Sequence, residues 1–229
     1  MNQFNESSAN EPFVAVVAGA TGATGRWIVG DLVNDPNCSK VIALTRSDID
    51  PAVTFPSADK EQIQYKLIVH KMDWEALKEK KTLPSLGATP TVGFCAMGSA
   101  PYTEESDYTL PVAFGEACKK GGVKSMFMLS AGGVKNGTGS WFGYIDTLGR
   151  REAAYIGFSF ERLGIYRPGM MDRQEKRRSK EILGRIMPSC WVIDTRDISR
   201  TMVASVGRMK PGYQEFTHSD MKKFAAGKV

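Results

Sequence analysis

The stretch FVAVVAGATGATGR at residues 13–26 limits what this chain can fold into more than any other. Val14, Val16 and Val17 make a short apolar run of the kind that a parallel strand buried on both faces requires. Gly19, Gly22 and Gly25 then fall at G-x-x-G-x-x-G spacing, and an amphipathic run starts near Arg26. A strand, a glycine turn and a helix start in that order suit a dinucleotide pyrophosphate. The glycines allow a tight turn and close backbone approach, and N–H groups at the helix start face the anion. An ordinary strand–turn–helix uses the same letters, and a glycine triplet alone is a weak motif. Here both flanks fit, so nucleotide binding is the expectation, with Gly19, Thr21, Gly22, Ala23, Thr24 and Gly25 forming the cradle.

Composition narrows the class. Apolar content of 42% and charged content of 24% belong to a soluble globular protein, and 229 residues fit one domain with a sizeable core. No run reaches the length of a membrane span, and the start MNQFNESSANE lacks the apolar centre of a signal peptide. Residues 1–11 are expected to be a disordered leader, and residues 12–229 a single domain. Cys38, Cys95, Cys118 and Cys190 contain no C-x-x-C pair, which points to reduced thiols and a cytoplasmic protein. With His70 and His218 the only histidines, no metal site is expected. The net charge of +5 suits an anionic cofactor or a nucleic-acid backbone. The densest basic run, at 173–180, reads as a solvated surface; no zinc finger or aromatic RNA-binding signature accompanies it, so nucleic acid is not expected.

Taken in order, the chain alternates strands and helices. A helix carrying Trp27, Ile28, Leu32 and Val33 ends at Asn34, Asp35 and Pro36. VIALT at 41–45 is a second strand that closes on Arg46. In such folds an acidic residue here binds a ribose 2′-hydroxyl, whereas an arginine suits a 2′-phosphate. Arg46 with Ser47 therefore favours NADP over NAD, the other reading being an exposed strand-end arginine. Residues 48–61 read as a loop, 64–69 as a third strand and 74–81 as a helix. Asp73 is placed either to accept from an adenine amino group or to cap that helix. TVGFCAM at 91–97 is a fourth strand, 107–120 a helix with Pro111 near its first turn, and SMFML at 125–129 a fifth strand delivering Ser130. A glycine-rich loop spans 131–140, a helix 144–156 and a sixth strand 165–167. Beyond Met170, helices near 182–187 and 198–209 and a strand near 213–217 read as a small C-terminal substrate lobe, about 170–229. The alternation predicts an α/β fold with a doubly wound parallel sheet, a Rossmann fold, whose ligands sit beyond the carboxyl ends of the strands.

With these residues in place, the chain resembles an atypical short-chain dehydrogenase/reductase over about residues 13–220. The likeness is nearest to the Tat-interacting-protein (oxidoreductase-like) branch, through VGFCAMG, ACKKGGVKSMFMLSAGG and YRPGMMDRQE. The resemblance implies an NADPH-binding domain with Gly19, Gly22 and Gly25 at the pyrophosphate and Arg46 at the 2′-phosphate. It implies Asp73 near adenine, Cys95, Ala96, Met97 and Gly98 along the adenosine and ribose, and Arg167, Pro168 and Gly169 near the nicotinamide.

In that superfamily a serine after strand five and a Tyr-x-x-x-Lys pair carry the chemistry, and the resemblance assigns these catalytic roles to Ser130 and Tyr144. The lysine position is occupied by Leu148. A cation about 5 Å from a phenolate is worth roughly 3 kcal/mol at an effective dielectric near 20. A tyrosine without it stays an ordinary phenol, still able to donate a proton to a carbonyl but a poor base for alcohol oxidation. Arg151, one heptad on, lies about 20° around the helix and roughly 10 Å along it, so only a backward lean would replace the lysine. Tyr144 as an aromatic anchor and Ser130 as a strand-end cap are the other readings of this pair. Two functions follow: a weak NADPH-dependent reductase of a small carbonyl compound, or an NADPH-binding regulatory protein with protein partners and little catalysis. A monomer or homodimer without a membrane span is expected in either case.

Overall fold

The computed structural model describes residues 11–134, 143–173 and 192–227. In chain order its strands are β1 (Phe13–Ala18), β2 (Cys38–Thr45), β3 (Leu67–Lys71), β4 (Val92–Cys95), β5 (Ser125–Leu129), β6 (Arg162–Arg167), β7 (Met170–Asp172), β8 (Val192–Asp194) and β9 (Gly212–Thr217). All but β7 and β8 form one seven-stranded parallel sheet in the order β3-β2-β1-β4-β5-β6-β9, and those two pair separately. The order reverses between β1 and β4, which opens a crevice at their carboxyl ends.

The apolar runs become strands buried from both sides because alternate residues enter two different cores. In β1, Ala15 and Val17 join one core while Val16 and Ala18 join the other. Val41 and Ala43 of β2 divide from Ile42 and Leu44 in the same way. One core is closed by α1 (Gly25–Asn34) and α7 (Thr195–Arg208), through Ile28, Leu32, Ile198 and Met202. The other is closed by α4 (Trp74–Lys80), α5 (Leu110–Lys120) and α6 (Gly143–Gly157), through Leu77, Phe114 and Tyr155. The predicted doubly wound parallel architecture is the one observed. Among the described residues, no helix is long and apolar enough to cross a membrane.

Local differences have local causes. The stretch 48–61, expected to be a loop, holds α2 (Pro51–Thr54) and the start of α3 (Lys60–Lys66). Asp50 accepts from the Ala52 N–H at 2.9 Å, and Asp59 from those of Glu61 and Gln62 at 2.8 and 3.0 Å. These caps start short helices that bury no residue. Because α3 runs to Lys66, the third strand begins at Leu67 and not at Gln64. Ahead of α5, residues Glu105–Thr109 form a π-helical turn, so the helix expected from 107 changes pitch before Pro111. Of the segment read as a small lobe, β7 and β8 stand apart from the main sheet, while α7 closes its core and β9 pairs with β6. Residues 1–10 of the expected leader, 135–140 of the glycine-rich loop and the expected helix at 182–187 lie outside the described residues.

Phe216 of β9 stacks on Tyr166 of β6 with centroids 4.6 Å apart and planes 5° from parallel. Phe216→Ala is expected to cost about 3–5 kcal/mol, seen as a lower midpoint of a single denaturant transition. A shift under about 1 kcal/mol would separate β9 from the main core. Cys38, Cys95 and Cys118 are free and buried, and Cys190 lies outside the described residues. Burial pushes the Cys38 thiol up to about 12 and the Cys118 thiol well above its ordinary value. In mass spectrometry after brief alkylation at neutral pH, Cys38 and Cys118 should stay unmodified until denaturant is added, then react without a reductant.

Candidate functional site

The glycine turn is shaped by its approach to the end of β4. Gly19 has φ +77°, and a Cβ there would lie 2.6 Å from the Ala96 carbonyl carbon and oxygen. A Cβ on Gly25 would overlap the Gly19 carbonyl, and Gly22 N–H donates to that same oxygen at 2.9 Å. Ala96 in turn donates to Ala18 O at 2.9 Å, which sets the chain beyond β4 against the turn. A cavity of about 340 Å³ results. Gly19, Thr21 and Gly22 line one side, Arg46 and Ser47 beyond β2 another, and Ala96, Met97 and Gly98 beyond β4 the floor. Ala23, Thr24 and Gly25 continue the turn into α1. Cys95 differs from its neighbours: it is fully buried in the core and does not line the cavity.

The start of α1 is unlike most of the other helix starts. Thr24 makes no side-chain cap, and no acidic residue occupies the first turn. By contrast α2, α3, α4, α7 and α8 (His218–Ala225) are capped by the side chains of Asp50, Asp59, Asp73, Asp194 and Thr217. The α1 start beside the turn thus has no side-chain cap, its Arg26 N–H donating to Gly22 O at 3.2 Å and its Trp27 and Ile28 N–H groups to Thr24 O at 3.0 and 3.1 Å. Of the two readings of Asp73, the structure shows the cap: its Oδ1 accepts from Ala76 N–H at 2.9 Å. Its neighbour Trp74 lines the cavity, a residue the sequence reading treated only as the start of a helix.

Ser130 sits just past β5, buried, with its N–H donating to Tyr166 O at 2.7 Å. Its hydroxyl donates to Glu152 Oε1 at 2.5 Å. Glu152 is fully buried and paired with Arg167, whose Nη2 reaches Oε2 at 2.5 Å and whose Nε reaches Oε1 at 3.0 Å. Arg167 Nη1 also pairs with Glu215 of β9, which accepts the Tyr213 hydroxyl. The hydrogen bond to Glu152 holds the Arg167 guanidinium above its ordinary value; burial opposes this, and the charges of Glu152 and Glu215 reinforce it. The Arg167 side chain, expected near a nicotinamide, thus carries ion pairs within the scaffold. Pro168 O receives the Gly132 N–H at 2.6 Å, and Gly169 N–H donates to His218 Nδ1 at 3.1 Å.

Tyr144 lies in the first turn of α6, 40% exposed, edge-on to Tyr102 with centroids 5.7 Å apart. Leu148 is buried in the core. Arg151 does not lean back to replace the missing lysine. Its guanidinium donates to Met97 O at 3.2 Å, Asp107 O at 3.3 Å and Leu129 O at 2.8 Å, and the residue is 1% exposed. Sequence reasoning missed Glu152, although it shares a helical stripe with Leu148 and Tyr155. An acid on a core-facing stripe is the signal that would have found it.

Among solved structures, the chain is similar to a putative NAD-dependent epimerase/dehydratase from Bacillus halodurans, with TM-score 0.62 and 17% identity over 90% of this chain and 92% of that one. It is also similar to MoeE5 in complex with UDP-glucose and NAD, with TM-score 0.63 and 15% identity over 90% of this chain and 75% of that one. These likenesses define the fold class. By sequence, the chain is similar to Protein HTATIP2 of Rattus norvegicus, 28% identical over 188 residues, covering 76% of this chain and 72% of the relative. Protein fmp52, mitochondrial, of Aspergillus fumigatus is 29% identical over 174 residues, covering 72% and 70%. No family model matches. The resemblance to the Tat-interacting-protein branch of atypical short-chain dehydrogenase/reductases is borne out by these relatives. The cytoplasmic assignment is corrected, because the FMP52 relatives are named as mitochondrial proteins. Buried thiols tell reducing from oxidising surroundings and do not separate one reducing compartment from another.

The cap assignment is checked by Asp73→Ala, expected to lower stability by about 1 kcal/mol in denaturant titration. An unchanged midpoint would return Asp73 to the pool of ligand-facing carboxylates.

Proposed function

We propose that this chain binds a nicotinamide dinucleotide in the crevice between β1 and β4, with NADPH the preferred form. The observation carrying this reading is the cavity that gathers the glycine turn, Arg46, Trp74 and the residues beyond β4. The fit is supported by two features: a turn in which Gly19 and Gly25 leave no room for a Cβ, and an α1 start without a side-chain cap. Arg46 is exposed at the end of β2, where a 2′-phosphate would meet it. Asp48, the next acid, is taken by Lys71 at 2.9 Å, so it does not compete for a ribose hydroxyl. Trp74 offers an aromatic wall to the base. The similarly folded MoeE5, solved in complex with UDP-glucose and NAD, supports the dinucleotide without selecting its form.

The bound cofactor would supply a hydride; the chain supplies the exposed Tyr144 phenol as proton donor to a small carbonyl compound. Leu148 lies in the core and Arg151 is bound to three carbonyls, so neither residue takes the place of the lysine, and slow turnover is expected. A second reading is favoured by the Ser130 hydroxyl being committed to Glu152. In that reading the chain is an NADPH-binding regulatory protein acting through protein partners, as a monomer or homodimer. Mitochondria are the proposed compartment, following the FMP52 relatives.

Titration of tryptophan fluorescence should show quenching by NADPH at a concentration at least tenfold lower than by NADH. Arg46→Ala should weaken NADPH about tenfold, the scale of one charged hydrogen bond, and leave NADH unchanged. Equal affinities would remove Arg46 from its role. Slow NADPH oxidation across a carbonyl panel supports the reductase; tight binding with no turnover supports the regulatory reading.

A further inference from the structure

Ser130 has one hydroxyl proton, and Glu152 takes it. Glu152 is the ion-pair partner of Arg167, so its oxygens accept and do not donate. The serine oxygen therefore has only acceptor capacity left for any other group. This direction is fixed from behind. Arg167 reaches both oxygens of Glu152 and pairs as well with Glu215, which holds the Tyr213 hydroxyl. Turning Ser130 away would leave a fully buried carboxylate short of a hydrogen bond. Ser130 stands at the carboxyl end of β5, where ligands bind in this architecture. The next two residues, Ala131 and Gly132, bring no side-chain donor.

We propose that Glu152 is a positioning residue that sets Ser130 as a hydrogen-bond acceptor, so that the group held at the tip of β5 is a substrate hydroxyl and not its carbonyl oxygen. A carbonyl oxygen carries only lone pairs, and a second acceptor facing it repels it. The substrate class is a hydroxy-carbonyl compound: its hydroxyl donates to Ser130, and its carbonyl is left to the Tyr144 phenol. This inference rests on the dinucleotide-binding reading and names what that same site selects.

The test uses acetoin and butanone, four-carbon ketones that differ by one hydroxyl, bound to the full chain with and without NADPH and measured by saturation-transfer NMR. Acetoin is expected to bind about tenfold more tightly, the scale of one net hydrogen bond. Ser130→Ala should erase the difference, and Ser130→Thr should keep it. In Glu152→Gln the amide can donate to the serine oxygen and release the serine proton, which shifts preference towards butanone. A purely structural Glu152 would leave the ratio of the two ketones unmoved. Equal binding by the wild type, or a preference that survives Ser130→Ala, overturns the proposal. If Glu152→Gln does not fold, the alanine and threonine pair decides. Absence of NADPH binding overturns the dinucleotide reading instead, and the ketone comparison on the free protein then decides the role of the serine by itself.

Discussion

Gly19 lies against the backbone of Ala96, and both the sheet and the site depend on that approach. A Cβ at Gly19 would fall 2.6 Å from the Ala96 carbonyl, so any side chain would force the end of β4 away from β1. The contact falls where strand order reverses, the one place in the sheet where the chains beyond neighbouring strands diverge to opposite faces. Register then places the rest. Val17 pairs with Ala43 and with Phe94, so β2 and β4 end beside the turn and project Arg46 and Met97 to its two sides. A cavity bounded by three strand ends follows from one backbone contact and two parallel ladders.

What was legible in the sequence is what has a strict local requirement. Apolar runs feeding two cores at once must be continuous, so β1, β2, β4 and β5 stood out. The glycine turn stood out because Gly19 and Gly25 leave no room for a Cβ. What was not legible lacked such a signature. The helices α2 and α3 fully bury no residue, Ile63 of α3 being only partly buried against the core, so the capping aspartates are their main mark. The edge strand β9 has Phe216 as its only buried residue, which is why its segment read as an appendage and not as the seventh strand. Around the cavity, Arg46, Ala96, Met97 and Gly98 were found from strand ends, while Trp74 was masked by its place at the start of a helix.

The part of the site furthest from sequence reasoning is the polar stripe of α6. Arg151 and Glu152 are both buried, and an unpaired charge in that position costs several kcal/mol. Glu152 is paired with Arg167 and bonded by Ser130, whereas Arg151 has only carbonyls: Nη1 and Nη2 donate to three separate segments, and Nε has no partner among the described residues. These bonds join α6 to the ends of β4, β5 and β6, and through Glu215 to β9. A motif search at Tyr-x-x-x-Lys spacing looks only at which residue stands four positions on. It cannot show that the neighbouring charges have become cross-braces of the sheet end.

That bracing separates two halves of the site. Arg46 and Tyr144 are exposed, and Trp74 lies on the cavity wall. The hydroxyl of Ser130 and the guanidinium of Arg167, which the family resemblance places at the reacting end, are instead bonded to Glu152. The position that would carry the lysine is part of a core, 1% exposed, where an ammonium has no partner supplied for it. A lysine in place of Leu148 would therefore set a buried charge against the packing of α6, while the Ser130 hydroxyl would stay bonded to Glu152. The two ends of this crevice rest on different supports: backbone geometry at β1 and β4, and side-chain charge pairing at β5, β6 and β9.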